Sequence, residues 1–162
     1  MNLSAQDLPV PVEPALEFAF RIEALIAPAL VGEAGRNGVR RITPITGGTV
    51  SGPALNGTVI SGGADYETVR ADGNSIVEAH YALQADDGTV IYILNKGIMT
   101  ASPEAWVKIN ANEPVAPEGY YFRCTPVFDA PEGPHVWLSD HIFVASCAFT
   151  SDRVIIDVYR CL

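Results

Sequence analysis

Gly47–Gly97, GGTVSGPALNGTVISGGADYETVRADGNSIVEAHYALQADDGTVIYILNKG, is a succession of short β-type runs cut by glycine pairs and Asp-Gly turns. Tyr66–Arg70 and Ser75–Gln84 read as a hairpin closed by Ala71-Asp72-Gly73-Asn74, and Thr89–Ile98 follows through Asp86-Asp87-Gly88. Asp-Gly supplies the positive φ that tight hairpins need. Glycines as dense as Gly47-Gly48, Gly52, Gly57 and Gly62-Gly63 mark bends or barrel corners rather than straight ladder. Within Ser75–Gln84 one face carries Ile76, Glu78, His80, Ala82 and Gln84, and the other Val77, Ala79, Tyr81 and Leu83. The second face is the drier one.

Upstream, Leu16, Phe18, Phe20 and Ile22 alternate with Glu17, Arg21 and Glu23, a strand pattern that Pro28 stops. Val31–Gly38 reads as a turn-rich loop, and Val39–Ile45 as a strand broken by Gly47-Gly48. Ala54–Ile60 is a further short run with a turn at Asn56-Gly57. Downstream, Ser102-Pro103-Glu104 is the best helix start, with a capping hydroxyl, a proline at the first helical position and an acid in the first turn. It predicts two helical turns over Ala105–Asn110. Gly119–Phe128, Val136–Leu138, His141–Thr150 and Val154–Cys161 complete the strands. Residues 1–15, with Pro9, Pro11 and Pro14, read as an extended arm, and 16–162 as one domain. The fold class is all-β: a single antiparallel barrel of about eight to ten strands with one short helix, closure removing the exposed edges.

The composition narrows the function. The 162 residues carry a formal net charge of −9, with ten Lys and Arg scattered along the chain. The basic footprint of a nucleic-acid binder is missing. No apolar run approaches the roughly 20 residues of a membrane helix, and the N-terminus has no signal-peptide pattern, so the expected location is cytoplasmic. Cys124, Cys147 and Cys161 form no CxxC pair, and His80, His135 and His141 have no ligand spacing. The expectation is no metal and no cofactor. Phosphate-loop, GxSxG and calcium-loop patterns are absent. The prolines of the arm are compatible with a homodimer.

Several segments occur together and in order: GVRRITPITGGTVSGPALNGTVISGGADY, HYALQADDGTVIYILNKG, YYFRCTPVFD, VWLSDHIFVAS and IIDVY. From Leu16 to the end the chain resembles the family known as domain of unknown function 3237, or uncharacterised protein family 0311. The resemblance implies a calycin-like (lipocalin-like) β-barrel and brings no agreed activity. The family's pattern places a basic residue at the position of His80, an Asn at Ser139, and a Gly and an Arg at Cys147 and Phe149. If those side chains face the barrel interior, the departures imply a less basic pocket here, and so a different ligand.

The candidate site residues follow from side-chain chemistry. Asp65, in GGADY, can act as general acid or base if partly desolvated; the plain alternative is an Asx-type turn. His80 can shuttle protons near neutral pH, against the plain role of a half-buried wall histidine. Asn95 can hold an oxyanion. Arg123, among Tyr120, Tyr121 and Phe122, needs a ligand anion or a carboxylate partner such as Asp65, Glu78 or Asp157. Tyr81, Tyr121, Trp137 and Phe149 are candidate lining aromatics. Cys147 is a weaker nucleophile candidate. The expected partner is a small molecule. The leading reading is an enzyme that does isomerase-, lyase-, hydratase- or cyclase-type acid–base chemistry on an apolar or aromatic carbonyl compound. The alternatives are a non-catalytic carrier of such a compound, and a barrel with a filled interior.

Overall fold

The computed structural model describes residues 8–162; the first seven residues of the expected arm lie outside it. Residues 8–15 are exposed and belong to no helix or strand. The strands are β1 (Leu16–Ile26), β2 (Leu30–Gly35), β3 (Gly38–Ser51), β4 (Gly57–Val69), β5 (Ser75–Ala85), β6 (Val90–Ala101), β7 (Tyr120–Asp129), β8 (Phe143–Phe149) and β9 (Arg153–Cys161). Their order is β1-β9-β8-β7-β6-β5-β4-β3-β2, all antiparallel, and β1 also pairs with β3. That pairing closes eight strands into a barrel and leaves β2 as an extra strand on β3. Among the described residues no helix is long and apolar enough to cross a membrane.

Closure is made by the glycines. β3 pairs with β4 through Val39–Pro44, then bends at Gly47-Gly48 to lie along β1. Gly48 has φ +141°, and a Cβ there would stand 2.0 Å from the carbonyl oxygen of Glu23. Only glycine lets the two backbones meet at this corner. The expected break in the strand is therefore a bend within one continuous strand. Likewise Ala54–Ile60 and Tyr66–Arg70 are not two strands: most of both belongs to β4, which carries a bulge between Ile60 and Ala64. Val31–Gly38, expected as a loop, is largely β2, because Leu30, Val31 and Ala34 find partners on β3. Val136–Leu138 is a 3-10 turn and not a strand; Gly133 and the following prolyl segment tighten it.

The helix forms where the capping signal predicts it. α1 (Pro103–Asn110) starts with Ser102 accepting the N–H of Ala105 at 3.2 Å. None of its residues is fully buried, and only Trp106 and Ile109 pack against the core.

Burial alternates along the walls. β7 is inward at Tyr120, Phe122, Cys124, Pro126 and Phe128; β5 at Ser75, Val77, Tyr81, Leu83 and Ala85. One half of the interior is a dry plug of Phe20, Ile22, Leu83, Ile91, Ile93, Leu138, Phe143 and Val158, each essentially inaccessible. Each such side chain contributes about 1.5–3 kcal/mol. Phe128 stacks edge-on with Phe20 and Phe143, at centroid distances of 5.7 and 5.0 Å. The other half is different in kind, and it is the half that α1 overhangs.

Candidate functional site

The site is built from three inward-facing levels below the α1 end. The level nearest the mouth follows the register Val69–Ser75–Met99–Phe122 across β4 to β7. Below it Arg41 of β3 faces Glu67 of β4. Next comes Thr43–Asp65–Ala79–Asn95, with Tyr81 two residues further down β5. Successive levels are about 7 Å apart, two residues of strand rise.

Polar side chains in a barrel interior need partners, and here several lack them. Arg41 Nε, Ser75 Oγ, Tyr81 Oη and Asn95 Oδ1 are buried without a hydrogen bond. Arg41 Nε stands 3.5 Å from Glu67 Oε2 without completing one. Asn95 lies close enough to Tyr81 to ease its ionisation slightly, yet nothing completes a bond to Oη. Burial pushes the Tyr81 hydroxyl well above its ordinary value, so it stays a proton donor. Gly63 makes room for Tyr81: a Cβ there would lie 2.4 Å from Tyr81 Cβ.

Asp65 is half-buried in the same group. Burial pushes its carboxyl up from 3.8 to about 6, aided by Glu67 and Glu78, while the backbone N–H of Glu78 and the charge of Arg41 pull it down. Its Oδ1 accepts that N–H at 2.9 Å. The bond spans β4 to β5, so Asp65 is no Asx turn; it is a tethered carboxyl at the middle of the wall. Nearby, Cys147 Sγ lies 3.6 Å from Cys124 Sγ. The shared hydrogen bond and burial raise the Cys147 thiol well above its ordinary value, which argues against a nucleophilic role.

The mouth opens into a cavity of about 480 Å³ bounded by Arg41, Val69, Ser75, Ala101, Pro103 and Trp106, among others. Trp106 Nε1–H donates to Asn74 Oδ1 at 3.3 Å, holding α1 over the opening. Tyr120 and Phe149 stack at 5.1 Å on the far side of the interior. A larger groove of about 900 Å³ lies on the outer wall, where β7 and β8 pair only through Arg123–Ser146 and Cys124–Ala145. Two of the unpartnered residues, Arg41 and Ser75, border the mouth cavity and none borders the groove, which favours the mouth cavity; Asp65, Tyr81 and Asn95 line neither and lie deeper in the wall.

The structure thus brings together Asp65, Tyr81 and Asn95, and places Phe149 inside. It does not bring in the others. His80, Tyr121 and Arg123 point outward, because each is sequence-adjacent to an inward residue (Tyr81, Phe122, Cys124) and strand alternation puts neighbours on opposite faces. On the outer wall His80 Nδ1 meets the Tyr92 hydroxyl at 2.7 Å and Nε2 meets Glu78 Oε1 at 3.2 Å. Lys96 Nζ completes the cluster, 3.3 Å from Glu78 Oε2. Arg123 takes neither Asp65, Glu78 nor Asp157: it stacks on Tyr121 and donates to the carbonyl of Phe122 at 2.9 Å. Asp157 instead pairs with Arg21 at 2.7 and 2.8 Å. Trp137 sits beside Phe143 and under Arg160, bordering a smaller pocket with Glu17, Ala19 and Ala54. Ser139 ties a loop, accepting the N–H of Ala130 at 3.0 Å. Of the departures from the family pattern, only Cys147 and Phe149 therefore bear on the interior. Among the described residues no three His, Cys, Asp or Glu side chains gather as metal ligands.

Arg41, Glu67, Ser75 and Trp106 were missed in the sequence. Glu67 had a signal: it shares the period of Asp65 on an apolar wall. Arg41 likewise shares the inward period of Thr43 and Ile45.

Comparison with known proteins agrees with this barrel. A family model described as "Protein of unknown function (DUF3237)" matches residues 14–161. A UPF0311 protein of Rhodopseudomonas palustris is 41% identical over 152 residues, covering 92% of this chain and 99% of the relative. The crystal structure of a conserved protein of unknown function from that species superposes with a TM-score of 0.90 at 38% identity, covering 94% of this chain and 100% of the other. A β-barrel like protein from Acinetobacter baumannii gives 0.83 at 33%, covering 94% and 99%. A hydroalkoxylation enzyme of Penicillium herquei is 36% identical over 83 residues, 51% of this chain and 55% of the enzyme. With the matched model spanning nearly the whole barrel, the chain belongs to the DUF3237 family.

Proposed function

We propose that the barrel is a small-molecule enzyme that works by proton transfer, without a cofactor, on an apolar or aromatic carbonyl-containing metabolite. The observation that carries this reading is Asp65. A carboxyl held near 6 can both take and return a proton close to neutral pH. Beside it stand a hydroxyl that stays protonated and an amide, Tyr81 and Asn95, each with an uncommitted polar atom. Tyr81 would donate to an oxygen that gains charge, and Asn95 would position the reacting group.

Isomerase-, lyase-, hydratase- and cyclase-type reactions can all proceed by proton transfer with such a set and no redox partner. The name of the Penicillium relative supports the choice. Hydroalkoxylation adds an alcohol O–H across a carbon–carbon double bond, so one proton leaves oxygen and one arrives at carbon. A single carboxyl of intermediate acidity suits both transfers.

The test is turnover of phenolic, enone and lactone compounds in deuterated water, read by mass spectrometry. Wild type should exchange or convert a member of the panel, and Asp65→Asn should lose at least about 100-fold. Equal rates in wild type and Asp65→Asn would remove Asp65 from the mechanism. Binding with no exchange or conversion of any compound would make the barrel a carrier.

A further inference from the structure

The mouth cavity mixes apolar Val69, Ala101, Pro103 and Trp106 with polar groups; Ser75 shares the level of Val69, and Arg41 lies one level deeper, at its floor. Ser75 is 1% exposed, and its Oγ is unpartnered. Arg41 Nε–H is a donor only, and the Ser75 hydroxyl can donate as well. Both are uncommitted donors bordering the cavity, and each lacks an acceptor oxygen.

The charges around that floor decide what kind of oxygen. Glu67, 9% exposed, already balances Arg41 at 3.5 Å, and Asp65 lies at the next level. At the rim Asp72 is paired with Arg70. A carboxylate placed on Arg41 and Ser75 would add a second negative charge beside the Glu67 carboxylate, whose side chain is only 11% exposed. A ketone oxygen accepts both hydrogen bonds without it.

Taking the acid–base reading as its basis, we propose that the substrate is a neutral ketone or enone bound head-down. Its carbonyl oxygen accepts from Arg41 Nε–H and Ser75 Oγ–H and its flat body lies against Trp106, with Asp65 one level below the carbonyl. Arg41, Ser75 and Glu67 are then the residues that select a neutral carbonyl over an acid.

Three compounds of nearly one shape test this: 4-hydroxybenzylideneacetone, 4-hydroxycinnamate and 4-(but-1-enyl)phenol, which offer a ketone, a carboxylate and no carbonyl. Binding is read from Trp106 fluorescence in a Trp137→Phe background, since the chain has two tryptophans. The ketone should bind about tenfold more tightly than either analogue, the scale of one well-made hydrogen bond. Arg41→Met should erase its advantage over the carbonyl-free compound, and Glu67→Gln should raise the affinity for 4-hydroxycinnamate. If Arg41→Met does not fold, Ser75→Ala and the wild-type ranking carry the same test. A carboxylate that binds as well as the ketone, a ketone advantage that survives both Arg41→Met and Ser75→Ala, or no binding by any of the three overturns the proposal. Turnover lost in Asp65→Asn without any Arg41 or Ser75 dependence overturns the pose alone. Arg41-dependent ketone binding without turnover removes the enzyme reading and leaves the pose standing.

Discussion

Asp65 Oδ1 accepts the backbone N–H of Glu78 at 2.9 Å, across the seam between β4 and β5. The bond fixes the carboxyl at the middle of the barrel wall and leaves its second oxygen for chemistry. Burial outweighs the bond, and the folded-state value is about 6, above the ordinary 3.8. A carboxyl raised by folding binds its proton more tightly in the native state. Its contribution to stability is therefore full below about pH 4 and is lost as pH rises through 6. Asparagine keeps the acceptor and removes the titration. The stability of Asp65→Asn relative to wild type should rise between pH 4 and pH 7.5, by on the order of 2 kcal/mol. Urea unfolding of both proteins at the two pH values checks this; a difference that stays constant with pH contradicts the burial of the carboxyl.

Tyr81 separates stability from function. Its hydroxyl is buried with no completed hydrogen bond. Deleting an unsatisfied hydroxyl costs a folded protein little and can stabilise it. Tyr81→Phe should unfold within about 1 kcal/mol of wild type, or later. If the hydroxyl donates to a developing oxyanion, the same change should cut turnover about 10- to 1000-fold. A variant that is strongly destabilised would show that Tyr81 holds the wall together.

The barrel was legible in the sequence because its signals are local. Asp-Gly turns, two-residue alternation and the Ser102-Pro103-Glu104 start are each written in a few neighbouring residues. The corner at Gly47-Gly48 was visible as a break but not as a bend, since its meaning depends on Glu23, more than twenty residues away. The site was legible only by half. Asp65, Tyr81 and Asn95 stand out as candidates by side-chain chemistry, and the barrel brings the three together. His80 and Arg123 were chosen by chemistry too, against the alternation that puts each on the opposite face from an interior neighbour. Arg41 and Ser75 share the inward period of their strands, but their lack of partners exists only in three dimensions.

Thiol reactivity tests how closed the interior is. Cys124 and Cys147 are buried with their sulfurs 3.6 Å apart, whereas Cys161 is only half-buried near the end of the chain. Thiolate is the reactive form, and burial with the shared hydrogen bond keeps Cys147 protonated. A disulfide-exchange reagent at pH 8 should titrate one thiol quickly in the native protein and all three after denaturation. Cys161→Ser should remove the fast phase. Rapid native reaction of two or three thiols would mean that the β7–β8 seam opens readily.

His80 gives the sharpest comparison with Asp65, because the two sit on paired strands and face opposite sides of one wall. His80 Nδ1 meets the Tyr92 hydroxyl, Nε2 meets Glu78 Oε1, and Lys96 holds Glu78 from the other side. The cluster is solvent-exposed, and neighbouring β5 backbone separates it from the cavity. His80→Ala should leave turnover within about twofold of wild type, and its cost in stability should be within about 1 kcal/mol, as for other exposed polar networks. Asp65→Asn, measured beside it, should abolish turnover. If His80→Ala loses activity while Asp65→Asn keeps it, the chemistry lies on the outer wall and the interior is a scaffold.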